Sequence, residues 1–251
     1  MLVDTRQSVK SGVIKGLKPD TSVLCVVNFV ERQLIIFADK YSDSKIKNEK
    51  GLTQKLVMIL NHNVSKEECP FWFDKEYMEN PERGDSPQVD IGTISKAEEG
   101  IVIESKTYTN NESFFSMEAK RLDKLGAKRS KEYLLGRFET KKDGKKKYVS
   151  CGGVERFKQG IHGRNLKYGA IIGYVQEHDS LHWYDLINSW VNDLIKKKFH
   201  SLVNWTKKDQ LKKTYIKPVT AKFVSVNSRQ NDSITLFHLW VRLNSFKTHD
   251  K

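Results

Sequence analysis

The stretch Phe114-Phe115-Ser116-Met117-Glu118-Ala119-Lys120-Arg121-Leu122 decides the fold of this chain. In a β-strand, successive side chains point to opposite faces of the sheet, so Phe115, Met117 and Ala119 share one face. That face is apolar and predicts a buried strand. The other face holds Glu118 and Lys120 side by side on a rigid support. Because an unpaired charge away from water is costly, we expect a divalent cation to complete this pair.

Composition indicates a folded protein that attracts polyanions. A chain of 251 residues with 38% hydrophobic residues and five Trp can bury a sizeable core, as one large domain or two small ones. The 44 Lys and Arg residues outnumber the 31 Asp and Glu residues, which gives a formal charge of +13. A surplus of this size favours partners such as nucleic acid.

Cysteine usage and the N-terminus indicate where the protein works. Cys25, Cys69 and Cys151 form no CxxC pair and have no neighbouring His at zinc-ligand spacing, so neither a disulfide framework nor a zinc site is expected. Residues 1–12 lack the apolar segment of a signal peptide, and no run of about 18 apolar residues occurs. We therefore expect a soluble cytoplasmic protein with no membrane partner.

Hydrophobic periodicity predicts a mixed α/β fold with one main sheet. A polar arm over residues 1–19 and a charged linker over residues 42–51 flank the first helix. The first predicted helix has its N-cap within Asp20-Thr21-Ser22 and runs to about Tyr41. The other predicted helices cover Leu52–Asn61, Ala127–Phe138 and Leu181–Lys196, with a short one beginning within Gly153–Phe157. Helix Leu181–Lys196 has Leu181, Tyr184, Ile187, Val191 and Leu194 on its apolar side. The predicted strands cover Phe71–Tyr77, Gln88–Ile94, Ile101–Lys106, Phe114–Leu122 and Tyr168–Gln176, and a final hairpin joins Tyr215–Val226 to Ser233–Leu243.

This order suggests three segments that pack as one domain. Residues 1–50 form an N-terminal arm and helix, residues 51–200 form the core, and residues 201–251 form a C-terminal β-hairpin extension. We expect the two terminal additions to bind partners or substrate.

An acid and a base two residues apart are weak evidence alone, since roughly five such pairs are expected by chance in a chain of this composition. Their context strengthens the interpretation. The pair lies on an apolar strand, Asp90 lies on a preceding strand 28 residues earlier, and a helix is predicted directly afterwards.

Asp90 in PQVDIGTI, with Glu118 and Lys120 in FFSMEAKRL, resembles the PD-(D/E)XK nuclease superfamily, which holds many restriction endonucleases. The family core is a helix, three antiparallel strands, a crossover helix and a further strand. A similar order runs from Leu52 to Gln176, about half of the chain. The resemblance implies a restriction-endonuclease-like mixed sheet flanked by helices. Val89 stands where the family name has Pro, which changes nothing chemically.

The resemblance also implies roles for individual residues. Asp90, Glu118 and the main-chain carbonyl of Ala119 would hold Mg²⁺ or Mn²⁺, and Lys120 would orient the attacking water or polarise the phosphate. Carboxylates suit such hard cations, which stabilise the charge that phosphodiester hydrolysis builds and lower the pKa of a bound water.

Accessory positions remain open at this stage. Gln54 or Glu49 could stand for a helix Glu found in many members. Gln176 could line the cleft or simply end its strand by hydrogen bonding. Arg156, in GGVERF, resembles a segment of some nuclease-like bacterial defence proteins, and it could contact a phosphate or form a surface salt bridge.

A competing pair, Glu104 and Lys106, also ends an apolar strand. The chain then turns at Asn110-Asn111 into another strand, whereas a helix is predicted after Lys120, so we favour Glu118 and Lys120. A further alternative is that Asp90, Glu118 and Lys120 form an ordinary ion-pair network.

The expected function is metal-dependent hydrolysis of double-stranded DNA in bacterial restriction or antiviral defence. The alternatives are a non-catalytic nucleic-acid-binding or scaffold subunit of a defence complex, and an RNA-cleaving enzyme on the same core. A double-strand cut by one active site per chain would favour a homodimer. Partner subunits of a defence complex are the other expected protein partners.

Overall fold

A seven-stranded mixed sheet with helices on both faces forms the protein and confirms the α/β class. The structure is a computed structural model that describes residues 21–42, 46, 48–82, 86–103, 105–123, 131–141 and 143–244. The predicted arm over residues 1–19 lies outside these residues. The helices are α1 (Thr21–Tyr41), α2 (Glu49–Lys66), α3 (Gly153–Lys158) and α4 (Ser180–Ile195). The strands are β1 (Phe71–Met78), β2 (Gln88–Ser95), β3 (Ile101–Ile103), β4 (Lys106–Tyr108), β5 (Ser113–Leu122), β6 (Arg137–Thr140), β7 (Lys146–Val149), β8 (Tyr168–Val175), β9 (Lys212–Ile216), β10 (Thr220–Ser228) and β11 (Ser233–Arg242).

The sheet order is β1-β2-β5-β8-β11-β10-β9. The three central strands β5, β8 and β11 run parallel, and the strands outside them pair antiparallel. Every residue of β8 is buried, as the sequence predicted for a strand that is covered on both faces. The strand that carries Glu118 and Lys120 therefore lies in the middle of the sheet, beside its most apolar member.

Two apolar clusters cover the two faces of the sheet. Helices α1 and α2 pack on one face, where Phe115, Met117 and Ala119 of β5 belong to the same cluster. Helices α3 and α4 pack on the other face with Leu122. The predicted alternation along β5 is thus confirmed, and Glu118 and Lys120 lie on the α3 side.

Helix α1 ends at Tyr41, as the periodicity predicted. Within the described residues it is the one helix that is long and apolar enough to cross a membrane by length and composition. Half of its most apolar window is buried inside the protein, and the core helix of a soluble protein passes the same test. Its buried side chains, among them Val26, Val30 and Phe37, pack in the cluster against the sheet.

Helix α2 begins earlier than predicted, which shortens the expected linker over residues 42–51. Asn48 caps the helix, because its side-chain oxygen accepts a hydrogen bond from the Gly51 N–H at 2.6 Å. The helix also continues beyond Asn61 to Lys66. The cap places Glu49 in the first turn, and this position matters for the site.

Two predicted elements between β2 and β8 differ from the structure. The predicted strand Ile101–Lys106 is confirmed over Ile101–Ile103, but among the described residues β3 pairs with β4 in a small separate hairpin rather than in the main sheet. The predicted helix Ala127–Phe138 is replaced in its described part by a short 3₁₀ turn, Lys131–Tyr133, followed by β6. The predicted short helix beginning at Gly153 is confirmed as α3. Strong apolar spacing in Tyr133, Leu134 and Phe138 had suggested a helix, but Phe138 is exposed on β6.

The C-terminal strands complete the main sheet. Strand β11 pairs in parallel with β8, so the predicted hairpin extension supplies a central strand. Its first arm begins at Thr220, while Tyr215 belongs to a separate edge strand, β9, because Pro218 interrupts the extended pattern. Helix α4 is confirmed, although Leu181 is half exposed and Trp183 takes the buried position instead.

Candidate functional site

Asp90 and Ala119 join the ends of neighbouring strands β2 and β5. The pairing of the two strands brings Ile91 opposite Met117. One residue before Ile91 in β2, the Oδ2 atom of Asp90 accepts a hydrogen bond from the Ala119 N–H at 2.7 Å. Because the N–H and C=O of one residue in a strand point toward the same neighbour, the Ala119 carbonyl is directed toward the side of Asp90.

Glu118 and Lys120 form a buried ion pair next to this contact. The Lys120 Nζ atom lies 2.9 Å from Glu118 Oε1. Lys120 is 9% exposed and Glu118 is 2% exposed. Glu49 approaches from the first turn of α2, with its Oε1 atom 3.5 Å from Lys120 Nζ. Its Oε2 atom accepts the Arg121 N–H at 3.1 Å. Three elements therefore bring three carboxylates, Glu49, Asp90 and Glu118, around one ammonium.

The electrostatics of this cluster differ between its carboxylates. Burial raises the pKa of Asp90 to about 7, and the neighbouring Glu118 carboxylate adds to the rise. Burial alone would also raise the pKa of Glu118, but the positive charge of Lys120 helps to hold it below its ordinary value. Burial alone would lower the pKa of Lys120, but the surrounding carboxylates, Glu118 first, raise it well above the ordinary value. Lys120 is thus a permanent cation, and its charge offsets only part of the rise in the pKa of Asp90.

Helix α3 places Arg156 over the same carboxylate. A Cβ atom added at Gly153, at the start of this helix, would lie 3.6 Å from Glu118 Cγ, so the helix lies close to the site. The Arg156 guanidinium is 3.4 Å from Glu118 Oε1 and also lines a cavity of about 470 Å³ beside the site. Of the two roles open for Arg156, an ion pair is present, but its partner is the buried Glu118.

His162 and Glu79 belong to the site, and the sequence did not reveal them. His162 is fully buried, with its Nε2 atom 3.4 Å from Glu118 Oε2 and its Nδ1 atom 3.9 Å from Glu79 Oε2. Burial lowers the pKa of His162 to about 4, so the imidazole is neutral near pH 7. Glu79 accepts hydrogen bonds from Ser116 Oγ at 2.6 Å and from the Gly163 N–H at 2.9 and 2.8 Å. No local pattern marks these two residues, because each follows an element end and meets the site only through packing.

The two Gln candidates have different positions. The Gln176 Oε1 atom accepts a hydrogen bond from Arg121 Nε at 2.6 Å, and its amide donates to the Ile46 carbonyl at 3.3 Å. Gln176 therefore braces the residue that follows Lys120. Gln54 is exposed on α2, and the contact with Lys120 from this helix comes from Glu49. The capping signal at Asn48 could have distinguished the two, since it places Glu49 in the first helical turn.

Lys106 of the competing pair lies on a different element of the fold. Lys106 lies on the separate β3–β4 hairpin, where its Nζ atom pairs with Glu112 Oε2 at 2.9 Å, and Glu104 lies outside the described residues. Lys106 lines the same cavity as Arg156. In the structure, Asp90 is in contact with the Glu118-Ala119-Lys120 segment.

The donor set fits a divalent cation. Within the described residues, Glu118 Oε2 is a buried carboxylate oxygen without a hydrogen-bond partner, and both ring nitrogens of His162 are likewise without one. Among the residues that the structure describes, no group of three or more His, Cys, Asp or Glu side chains could hold a metal ion. The expected ligand set is smaller, with two carboxylates and one main-chain carbonyl, and water commonly completes the shell of Mg²⁺.

In comparisons with known proteins, no protein-family model matches this chain, and no curated protein matches it.

Proposed function

We propose that the protein is a metal-dependent endonuclease that hydrolyses phosphodiester bonds in DNA. The observation that carries the proposal is the junction of β2 and β5, where Asp90 contacts the main chain at Ala119 beside the buried Glu118 and Lys120. The resemblance of these motifs to the PD-(D/E)XK nucleases and the charge of +13 support it.

Asp90, Glu118 and the Ala119 carbonyl would hold Mg²⁺ or Mn²⁺. When bound, such an ion stabilises negative charge on the phosphate and lowers the pKa of a bound water. The raised pKa of Asp90 supports this assignment, because a bound cation would offset the burial and the Glu118 charge that cause the rise. The buried Glu118 Oε2 atom, which has no hydrogen-bond partner within the described residues, supports it as well.

Lys120 would act as an ammonium that donates hydrogen bonds to the attacking water or to a phosphate oxygen. Its raised pKa supports this role rather than that of a proton acceptor. Glu49 would fix the Lys120 side chain, and Gln176 would hold the adjacent Arg121. Arg156, which lines the neighbouring cavity, would contact the next phosphate of the substrate.

The proposed setting is the cytoplasm of a bacterium, in restriction or antiviral defence. This part of the proposal derives from the resemblance, and the free cysteines agree with a reducing compartment. A double-strand cut would require two active sites, so we expect it from a homodimer.

Cleavage of plasmid DNA in the presence of Mg²⁺ or Mn²⁺ tests the proposal. We expect the native chain to nick or linearise the plasmid, and Asp90→Ala and Lys120→Ala to reduce the rate by about 100-fold or more. Lys40→Ala and Gln54→Ala are matched controls, because both side chains are exposed on helices α1 and α2, and both should keep the native rate. Circular dichroism of each variant shows whether it is folded.

Two results would contradict the proposal. Absence of cleavage by the native chain on DNA and on a duplex RNA substrate would favour a non-catalytic binding subunit. Cleavage retained by both Asp90→Ala and Lys120→Ala would show that the active site lies elsewhere. Cleavage of RNA but not DNA would show that RNA is the substrate, while the assignment of the active-site residues would stand.

A further inference from the structure

The hairpin formed by β6 and β7 stands apart from the main sheet. Its two strands pair only with each other, from Arg137 opposite Val149 to Thr140 opposite Lys146. All four residues of β6 are exposed, as are the first two of β7. A ribbon of this kind contributes little to the core, so its composition is free to serve another purpose.

The cations of this hairpin divide into two groups. Arg137 is neutralised, with its guanidinium 2.7 Å from Glu132 Oε1 and 2.8 Å from Glu139 Oε1. The described lysines of the turn and of β7 are exposed, and the structure shows no ion pair for them within the described residues. They are Lys141, Lys145, Lys146 and Lys147. Glu139 lies opposite Lys147 and Asp143 lies in the turn, so these acids offset part of the charge. The ribbon keeps a positive surplus, which favours an anionic partner.

An aromatic cluster stiffens the base of the hairpin. The Phe138 ring lies 5.2 Å from that of Tyr148, and the ring of His200 contacts both, at 5.1 and 4.6 Å. Phe138 nevertheless remains 54% exposed. Because opposite residues of an antiparallel pair share a face, Phe138, Tyr148 and Lys146 project on the same side. The ribbon thus offers an apolar surface next to a positive charge.

The hairpin is tied to the candidate site through Glu155. This buried carboxylate accepts hydrogen bonds from the Gly136 N–H at 2.9 Å and from Tyr148 Oη at 2.7 Å, at the two ends of the ribbon base. The next residue of α3 is Arg156, which contacts Glu118. One short helix therefore fixes both the base of the hairpin and a cation of the site.

We propose that the β6–β7 hairpin is the element that grips the phosphate backbone of duplex DNA next to the site of cleavage. A two-stranded ribbon has the width that the major groove admits, and its exposed lysines supply the contacts to phosphates. The tether through Glu155 fixes the register between the gripped phosphates and the cluster around Glu118. This inference rests on the proposed function, because it takes DNA as the substrate.

Binding without cleavage tests the inference. Fluorescence anisotropy with a duplex of roughly 20 base pairs, about two helical turns, is measured in EDTA over a range of salt concentrations. Each phosphate contact that is lost should reduce the slope of log K against log salt by about 0.9, so the triple variant K145Q/K146Q/K147Q should lower it by about 2 to 3. We expect its affinity near physiological salt to fall at least tenfold.

The triple variant K208Q/K212Q/K213Q is the matched control. It removes the same charge from exposed lysines at β9 and the turn before it, at the far edge of the sheet. We expect its slope to change by less than about one. Thermal unfolding of both variants shows whether either change disturbs the fold.

The outcomes separate this inference from the proposed function. An equal loss of slope in both variants, or no loss in either, would overturn the role of the hairpin while the nuclease proposal stands. Equal binding of single-stranded and duplex DNA by the native chain would overturn the duplex grip. Absence of binding to any DNA by the native chain would remove the substrate of the proposed function as well.

Discussion

Asp90 is the residue whose charge state depends most on what occupies the site. Burial and the Glu118 carboxylate raise its pKa from an ordinary value of 3.8 to about 7, so the folded protein holds a proton that the unfolded chain releases. Binding of this proton stabilises the folded state. Its contribution to the free energy of unfolding is fully present below the ordinary pKa of 3.8 and is lost as the pH rises through about 7. Without metal, the native protein therefore carries a penalty at neutral and higher pH.

Asp90→Asn should remove this penalty while keeping an oxygen that accepts the Ala119 N–H. In EDTA we expect the variant to gain roughly 1–3 kcal/mol in free energy of unfolding relative to the native chain between about pH 4 and about pH 8. Urea unfolding at several pH values measures the difference. Asp39→Asn on the exposed side of α1 is the control for the same chemical change outside the site.

Divalent ions should reverse the order of stability of the native chain and Asp90→Asn. Mg²⁺ or Mn²⁺ that binds only the folded state stabilises it in proportion to the logarithm of its concentration. The native chain should gain from the ion and Asp90→Asn should gain much less. A variant that responds to the ion as the native chain does would contradict the assignment of Asp90 as a ligand.

Among the elements, the turn between β10 and β11 has an unexpected connection to the site. The Arg229 guanidinium donates hydrogen bonds to main-chain carbonyls of the segment that carries His162. The acceptors are Phe157, His162, Gly163, Arg164 and Leu166. That segment in turn binds Glu79 through the Gly163 N–H. Arg229 therefore holds the loop in place from the opposite end of the chain.

Arg229→Met should release this loop. We expect a loss of about 2–4 kcal/mol in free energy of unfolding, because several buried carbonyls lose their donor. Amide hydrogen exchange over residues 159–166 should become faster than in the native chain. Arg164→Met is the matched control, since its side chain is exposed on the same loop, and similar exchange rates in both variants would refute the role of Arg229.

Helices and strands were predicted correctly where their hydrophobic pattern fitted one kind of element. The continuous apolar run of β8 and the amphipathic spacing of α1 and α4 could be read directly. The prediction of a helix around Phe138 was wrong. The apolar spacing there suits a helix, but pairing with strand β7 and the aromatic contact with His200 stabilise a strand instead. Propensity decides little when contacts distant in sequence favour another conformation.

For the whole molecule, the C-terminal strands decide whether a core exists at all. Strand β11 lies between β8 and β10, and Leu236, Trp240 and Val241 are fully buried. Trp240 also donates from its indole to the Tyr133 hydroxyl at 2.9 Å, inside the cluster of the α3 side. The predicted extension over residues 201–251 thus supplies one of three central strands.

A chain that ends at residue 210 should lose cooperative unfolding. Without β9, β10 and β11, the edge of β8 and much of both apolar clusters would be open to water. We expect circular dichroism to show no sharp thermal transition and limited proteolysis to degrade residues 51–200 rapidly. A sharp transition within a few degrees of the native midpoint would instead favour an independent core with a dispensable hairpin.

The sequence by itself determined the α/β class, the helices α1 and α4, the strands β1, β2, β5 and β8, and the two faces of the strand that carries Glu118 and Lys120. These features follow from periodicities of two and 3.6 residues, which are local. Tertiary structure decided that β11 is central, that Glu49 rather than Gln54 reaches Lys120, and that Glu79, His162 and Arg229 surround the site. Such contacts join residues 71, 44 or 67 positions apart in the chain, and their pairing depends on how the elements pack rather than on any spacing within one element.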